Sequence, residues 1–147
     1  MTKKTATIHF TPDEMHAYLS EVFPQSDIGE TFIVEEIRAS GARLRLRYDD
    51  RHLRPGGTIS GPTMFALADV GLYVAILGRI GRVALAVTTN LNINFLKKPP
   101  AADLIGEARL LKLGKRLAVG EVSIHSAGEE DLVAHAVGTY SIPDRVD

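Results

Sequence analysis

The 147-residue chain contains no cysteine. Disulfides, thiolate metal sites and a cysteine nucleophile are thereby excluded. It also lacks an excess of either charge: 17 Lys and Arg stand against 18 Asp and Glu, a net charge of −1. That balance offers no electrostatic grip on nucleic acid as a main partner. The histidines, His9, His16, His52, His125 and His135, show neither an HExxH spacing nor a cluster, so no metal and no cofactor is expected. No linker, repeat or low-complexity run divides the chain. Its length suits a single domain over residues 1–147, large enough for a core without covalent staples. The opening MTKKTATIHF carries two lysines but no following apolar core of a signal peptide, so a cytoplasmic protein is expected.

What the chain does have is one long apolar stretch, SGPTMFALADVGLYVAILG, from Ser60 to Gly78. Pro62 just inside its start, and Gly78 and Gly81 near its end, are helix boundary signals. Met64, Phe65, Leu67, Val70, Leu72, Val74, Ile76 and Leu77 do not fall on one side, and a helix apolar all round is buried in a core or a bilayer. The run is a little short for a span and carries a charge at its centre. A central helix wrapped by the rest of the fold is therefore expected, with no membrane partner.

That charge is Asp69. A carboxylate among apolar neighbours costs several kcal/mol unless it is paired, hydrogen-bonded or neutralised. Two readings stay open on physics alone: a structural cap or ion pair, or a catalytic acid, base or nucleophile tuned by burial.

Around this helix the remaining elements follow from pattern. Thr11-Pro12-Asp13-Glu14 opens a first helix over about residues 11–23, with Met15, Tyr18, Leu19 and Val22 at helical spacing and His16 as a solvated or rim residue. Thr31 to Arg38 reads as a strand. After Ser40-Gly41, Ala42, Leu44, Leu46 and Tyr48 alternate with Arg43, Arg45 and Arg47, a half-buried strand with a basic outer row. Val83 to Leu96, Asp103 to Leu113, Arg116 to Ser126 and Leu132 to Ile142 are four further strands, joined by spacers that favour antiparallel hairpins. In the first of these four, Thr88, Asn90, Asn92 and Asn94 share one polar face. The order is α-β-β-α-β-β-β-β, an α+β fold in which a curling sheet covers one helix.

HLRPGGTISGPTMFALAD (His52 to Asp69) and VTTNLNINFLKKP (Val87 to Pro99), with GEARLLKLGKRLAVGEVSIHS and LVAHAVGTYSIP after them, resemble the hotdog-fold thioesterases of the PaaI type. The resemblance covers a core over about residues 31–143. It implies a curved antiparallel sheet around one long central helix, and hydrolysis of an acyl-CoA thioester to free acid and CoA. The family pattern N-P-x-G-x-x-H-G-G, with its acid eight residues beyond the first Gly of H-G-G, lays that Gly on Gly61 and the acid on Asp69. Gly61 then offers an amide donor at a helix start, where backbone N–H groups are unpaired and the dipole is positive. The pattern's His, second Gly and Asn fall on Ser60, Pro62 and Arg54. Ser60 keeps one hydrogen bond but no charge, and Arg54 adds a fixed cation for a carboxylate or phosphate. His52 is a partial substitute for the missing imidazole.

By the same resemblance Thr88 holds the attacking water and Asn90 continues the site lining. Lys115 and Arg116, after Gly114, are the foremost cations for the CoA phosphates, with Arg79, Arg82, Lys97 and Lys98 as other candidates. The family arrangement is a homodimer, or a dimer of dimers, with Asp69 and Thr88 from one chain and Gly61 from the other. Asp69 acts either as base toward water or as nucleophile. The alternative is a hotdog dimer that binds acyl-CoA or another small ligand without turning it over.

Overall fold

The computed structural model describes residues 6–144. Helix α1 (Pro12–Val22) starts on a reciprocal cap: Glu14 N–H donates to the Thr11 hydroxyl at 3.2 Å, and Thr11 N–H donates to the Glu14 carboxylate at 3.0 Å. Both amides would otherwise lack a partner in the protein. Met15 and Leu19 bury one face, and a 3₁₀ turn, Pro24–Ser26, follows. Of the two positions expected for His16, solvated or rim, the structure gives the rim, half-buried at the sheet edge. The imidazole Nε2 accepts the Val34 N–H at 2.9 Å and so fastens α1 to a strand.

The strands are β1 (Phe32–Arg38), β2 (Gly41–Leu46), β3 (Val87–Phe95), β4 (Leu104–Leu113), β5 (Leu117–Ser126) and β6 (Leu132–Ser141), with helix α2 (Gly61–Ile80) between β2 and β3. They form one antiparallel sheet in the order β1-β2-β4-β5-β6-β3. This is the hotdog arrangement of a curved sheet around a central helix. Because α2 carries the chain across the sheet, β3 ends up on the edge opposite β1. The β1 edge donates Val34 N–H to His16, while among the described residues β3 has a sheet neighbour on one side only.

Absent side chains let the helix lie this close. Gly120 and Gly138 face each other across β5 and β6, and Leu72 of α2 fills the hollow between them. A Cβ on Gly120 would stand 2.5 Å from Leu72 Cδ2, and one on Gly138 would stand 2.7 Å from Leu72 Cδ1. Gly78 does not end the helix as expected. A Cβ there would meet Ile37 Cγ2 at 2.8 Å, so this glycine serves packing on β1. The stop is Gly81, at φ 89°, a conformation that side-chain-bearing residues avoid. The helix is 20 residues long and apolar enough to span a bilayer by composition, but most of it is buried inside this fold.

On the outer face of the sheet, the Arg43 and Arg45 guanidinium groups each donate at 2.9 Å to one oxygen of Glu35. They reach on to Glu107 at 2.9 Å and Asp103 at 3.1 Å. These arginines are spent on carboxylates within the sheet.

Two imidazoles give the fold an acid limit. Burial holds His16 below the usual histidine value against a weaker upward pull from Asp13. Burial, then Arg51, lowers His52 against Asp49 and Asp27. In both cases the unfolded chain takes the proton first as pH falls. Their contribution is present above about pH 6.5 and is lost on going below it. The thermal midpoint is expected to fall between pH 7 and pH 5, and His16→Gln, which keeps an acceptor without titrating, is expected to flatten that slope. Melts at the two pH values check this; a wild-type midpoint constant across the window contradicts it.

Candidate active site

Helix α2 is not covered all round. Pro62, Phe65, Ala66, Asp69 and Val70, spaced by three and four residues, form a stripe that the sheet leaves open. Asp69 is therefore half-buried on an uncovered face. Its Oδ1 accepts two hydrogen bonds, from the Thr88 hydroxyl at 2.7 Å and from the Tyr140 phenol at 2.6 Å. The same phenol lies 3.0 Å from the Asp69 carbonyl oxygen. Oδ2 has no protein partner among the described residues, yet is not sealed from solvent.

The carboxylate lines a cavity of about 380 Å³ together with Thr88, Tyr140, Tyr73, Val70 and Phe23. Burial, then the Asp69 charge, raises the Tyr140 phenol far above its usual value, so it remains a donor at any physiological pH. Burial also pushes Tyr73 up to about 12, and its hydroxyl is committed to the Ala84 carbonyl at 2.7 Å.

Thr88 reaches Asp69 because β3 is bulged. Thr88 is opposite Tyr140 and Asn90 is opposite Thr139, leaving Thr89 as an extra residue. An inserted residue reverses the alternation beyond it. Thr88 thus faces inward with Tyr140, as Leu91 and Ile93 do further along, while Asn90, Asn92 and Asn94 face outward and are exposed. The expectation that Thr88 shares a polar face with these asparagines is corrected: Asn90 lies on the other side of the sheet from Asp69.

Gly61 is the first residue of α2. In the first turn Thr63 N–H is taken by the Ser60 hydroxyl at 3.3 Å and Met64 N–H by the Ser60 carbonyl at 3.2 Å. Pro62 has no N–H. The Gly61 amide has no acceptor among the described residues. It lies on a second cavity, of about 400 Å³, lined also by Arg54, Met64, Phe95, Lys97 and Lys98. Eight residues at 1.5 Å rise separate Gly61 from Asp69 by about 12 Å along the axis, so the two cannot act on one carbonyl within the same chain.

The remaining candidates divide. Ser60 is the N-cap of α2, its hydroxyl also bonded to Thr63 Oγ1 at 2.8 Å. His52 does not substitute for an active-site imidazole. It is buried, and its Nδ1 accepts the Asp49 N–H at 3.1 Å inside a 3₁₀ turn, Asp50–His52. Arg54 is exposed on the Gly61 cavity, away from Asp69 of its own chain. Lys115 and Arg116 are exposed in the β4–β5 turn and line neither cavity. Sequence reasoning missed Tyr140. The signal was present in β6, where Ala134, Ala136, Gly138 and Tyr140 share the inner face, because a phenol buried among small residues needs a partner.

Known proteins resemble this chain in both sequence and fold. The sequence profile of the thioesterase superfamily matches residues 56–133. The chain belongs to the thioesterase superfamily. This thioesterase is 51% identical to a solved protein of Silicibacter sp. TM1040 provisionally named a thioesterase, over 95% of this chain and 96% of that one, with a TM-score of 0.86. A solved mutant of the phenylacetic acid degradation protein PaaI from Thermus thermophilus is 26% identical over 76% of this chain and 93% of its own, with a TM-score of 0.67. A Saccharolobus solfataricus protein provisionally named an esterase is 31% identical over 109 residues, 74% of this chain and 71% of that protein. The matched residues take in α2 with Gly61 and Asp69, and Thr88 of β3, but leave α1, β1, β2 and Tyr140 outside.

Proposed function

We propose that this thioesterase hydrolyses acyl-CoA thioesters in a site shared by two copies of the chain. The observation that carries the reading is the tethering of Asp69 through Oδ1 alone. Thr88 spends its proton on that oxygen, so its own lone pairs can only accept. A water donating one hydrogen to Asp69 Oδ2 and the other to Thr88 Oγ1 directs its lone pair outward. This favours general-base over nucleophilic use of the acid. As the water oxygen bonds to the thioester carbon, its proton passes to Oδ2. The carbonyl electrons move to oxygen, and collapse breaks the C–S bond and releases CoA thiolate, which takes a proton, leaving the free acid.

The oxyanion requires a donor. The free Gly61 amide of a second copy fits, and comparable donors are worth about 2.7–4 kcal/mol. Three features support a two-chain site: the ~12 Å separation within one chain, the unpaired outer edge of β3, and apolar residues exposed on and beside it, Leu85 at 80%, Val87 at 57% and Leu96 at 58%. A long, exposed strand edge with apolar residues at its ends is a template for pairing with another strand, which gives a dimer or a dimer of dimers. Arg54, Lys97 and Lys98 around the Gly61 cavity are better placed for the CoA phosphates than Lys115 and Arg116. A cytoplasmic setting, where acyl-CoA is available, belongs to this reading.

The test is release of free thiol from a panel of acyl-CoA thioesters, with the oligomeric state measured by light scattering. Turnover by a dimer or larger assembly is expected. Tight acyl-CoA binding without thiol release would replace the enzyme by a binding protein, and full turnover by a monomer would overturn the shared site. Tyr140→Phe removes one of the two bonds on Oδ1. A hydrogen bond to a charged group is worth about 1.5–3 kcal/mol, so a roughly 10- to 100-fold fall in kcat is expected with little change in KM.

A further inference from the structure

The wall of the Asp69 cavity is not built by the family core alone. Phe23, Gln25 and Ser26 line it, and they come from the end of α1 and the turn after it, outside the residues that match the superfamily profile. Phe23 is 41% exposed, yet its backbone is held at both ends. Its N–H donates to the Leu19 carbonyl at 2.8 Å, and its carbonyl accepts Ser26 N–H at 3.0 Å and the Ser26 hydroxyl at 2.7 Å. Pro24 then restricts the chain directly after it. Upstream, α1 is anchored by Met15 and Leu19 in the core and by the His16–Val34 bond. The ring is thus held in place, unlike a loosely placed surface phenylalanine.

The ring also continues a row. From the acid outward, Tyr140 stacks on Tyr73 with centroids 6.0 Å apart, and Tyr73 meets Phe23 edge-to-face, again at 6.0 Å. Both phenol hydroxyls are occupied, by Asp69 and by Ala84, so the part of each buried tyrosine that faces the cavity is ring carbon, and Phe23 is the exposed end of the row. An acyl group whose carbonyl sits at Asp69 would run its apolar part along this row and end against Phe23.

We infer that Phe23 is the specificity-determining residue of the site: its ring bounds the apolar arm of the Asp69 cavity and makes it select compact acyl groups, short or ring-bearing, over long saturated chains. This rests on the acyl-thioester reading above. Filling or emptying part of an apolar pocket changes discrimination by roughly 10- to 200-fold.

The experiment compares wild type, Phe23→Ala and Phe23→Trp on hexanoyl-, phenylacetyl-, dodecanoyl- and palmitoyl-CoA, reading kcat/KM for each. In parallel, calorimetry measures binding of the non-hydrolysable thioether analogues of the phenylacetyl and palmitoyl compounds. Wild type is expected to prefer hexanoyl or phenylacetyl. Phe23→Ala is expected to shift the ratio of palmitoyl to phenylacetyl kcat/KM upward by at least about 10-fold, and Phe23→Trp to shift it downward. A palmitoyl-to-phenylacetyl ratio unchanged in both variants, or a wild type that prefers palmitoyl, overturns the inference while leaving thioester hydrolysis intact. Should no compound release thiol, hydrolysis fails, and the analogue affinities alone decide: a ratio moved by Phe23→Ala upholds the wall, and an unmoved ratio or no binding overturns it.

Discussion

Asp69→Asn is expected to lower thiol release by roughly 10²- to 10⁴-fold, the usual contribution of a positioned general base, and to leave the fold in place. The reason lies in how the two carboxylate oxygens are used. Oδ1 accepts from Thr88 and Tyr140, and the oxygen of the substituted amide can accept both bonds just as well. The position of Oδ2 becomes an NH₂ group, which donates and cannot take a proton from water. Structure is kept at one oxygen while chemistry is lost at the other. Circular dichroism and the thermal midpoint should therefore match wild type closely. Near-normal turnover in this variant would remove Asp69 from the mechanism, and a loss of turnover that tracks a loss of fold would leave Asp69 as a structural residue.

The second large effect is on stability and concerns the contact that sets the helix on the sheet. Leu72 is fully buried, so Leu72→Ala is expected to cost about 2–5 kcal/mol from lost burial and the cavity left behind. Gly138→Ala fails for the opposite reason. The new Cβ would stand 2.7 Å from Leu72 Cδ1 and 2.6 Å from Leu91 Cδ1, an overpacking expected to cost about 1–3 kcal/mol. Together the two changes should compensate in part, because the added methyl enters the space that Leu72 vacates. The double variant is expected to be more stable than the sum of the singles by about 0.5–3 kcal/mol. Leu91 remains in the way, so recovery is incomplete. Denaturant titrations at fixed protein concentration measure all three. Strict additivity would show that Leu72 does not occupy the hollow above Gly138.

The sequence pattern carried much of this architecture because the determining forces are local. The capping residues Thr11 and Glu14, the unbroken apolar stretch of α2 and the alternation in β2 each act within a few residues of chain. Their elements accordingly appear within a few residues of the expected limits. Errors arose where a local signal was outweighed by a distant contact. Gly78 resembles a helix stop, but Ile37 of β1 requires a glycine there. Alternation put Thr88 and Asn90 on one face, and one extra residue at Thr89 reversed the count.

From its amino acids alone, then, this chain was bound to form a central helix with a lone acid, flanked by strands, without thiol chemistry. Hydrophobic periodicity and capping are written in neighbouring residues, so they survive without coordinates. The partners of that acid were decided only in three dimensions. Thr88 lies 19 residues from Asp69 and Tyr140 lies 71 residues away, and a hydrogen bond of that span leaves no period in the sequence. The assignment of Gly61 and Asp69 to separate cavities likewise follows from the length of a helix and the curl of a sheet around it.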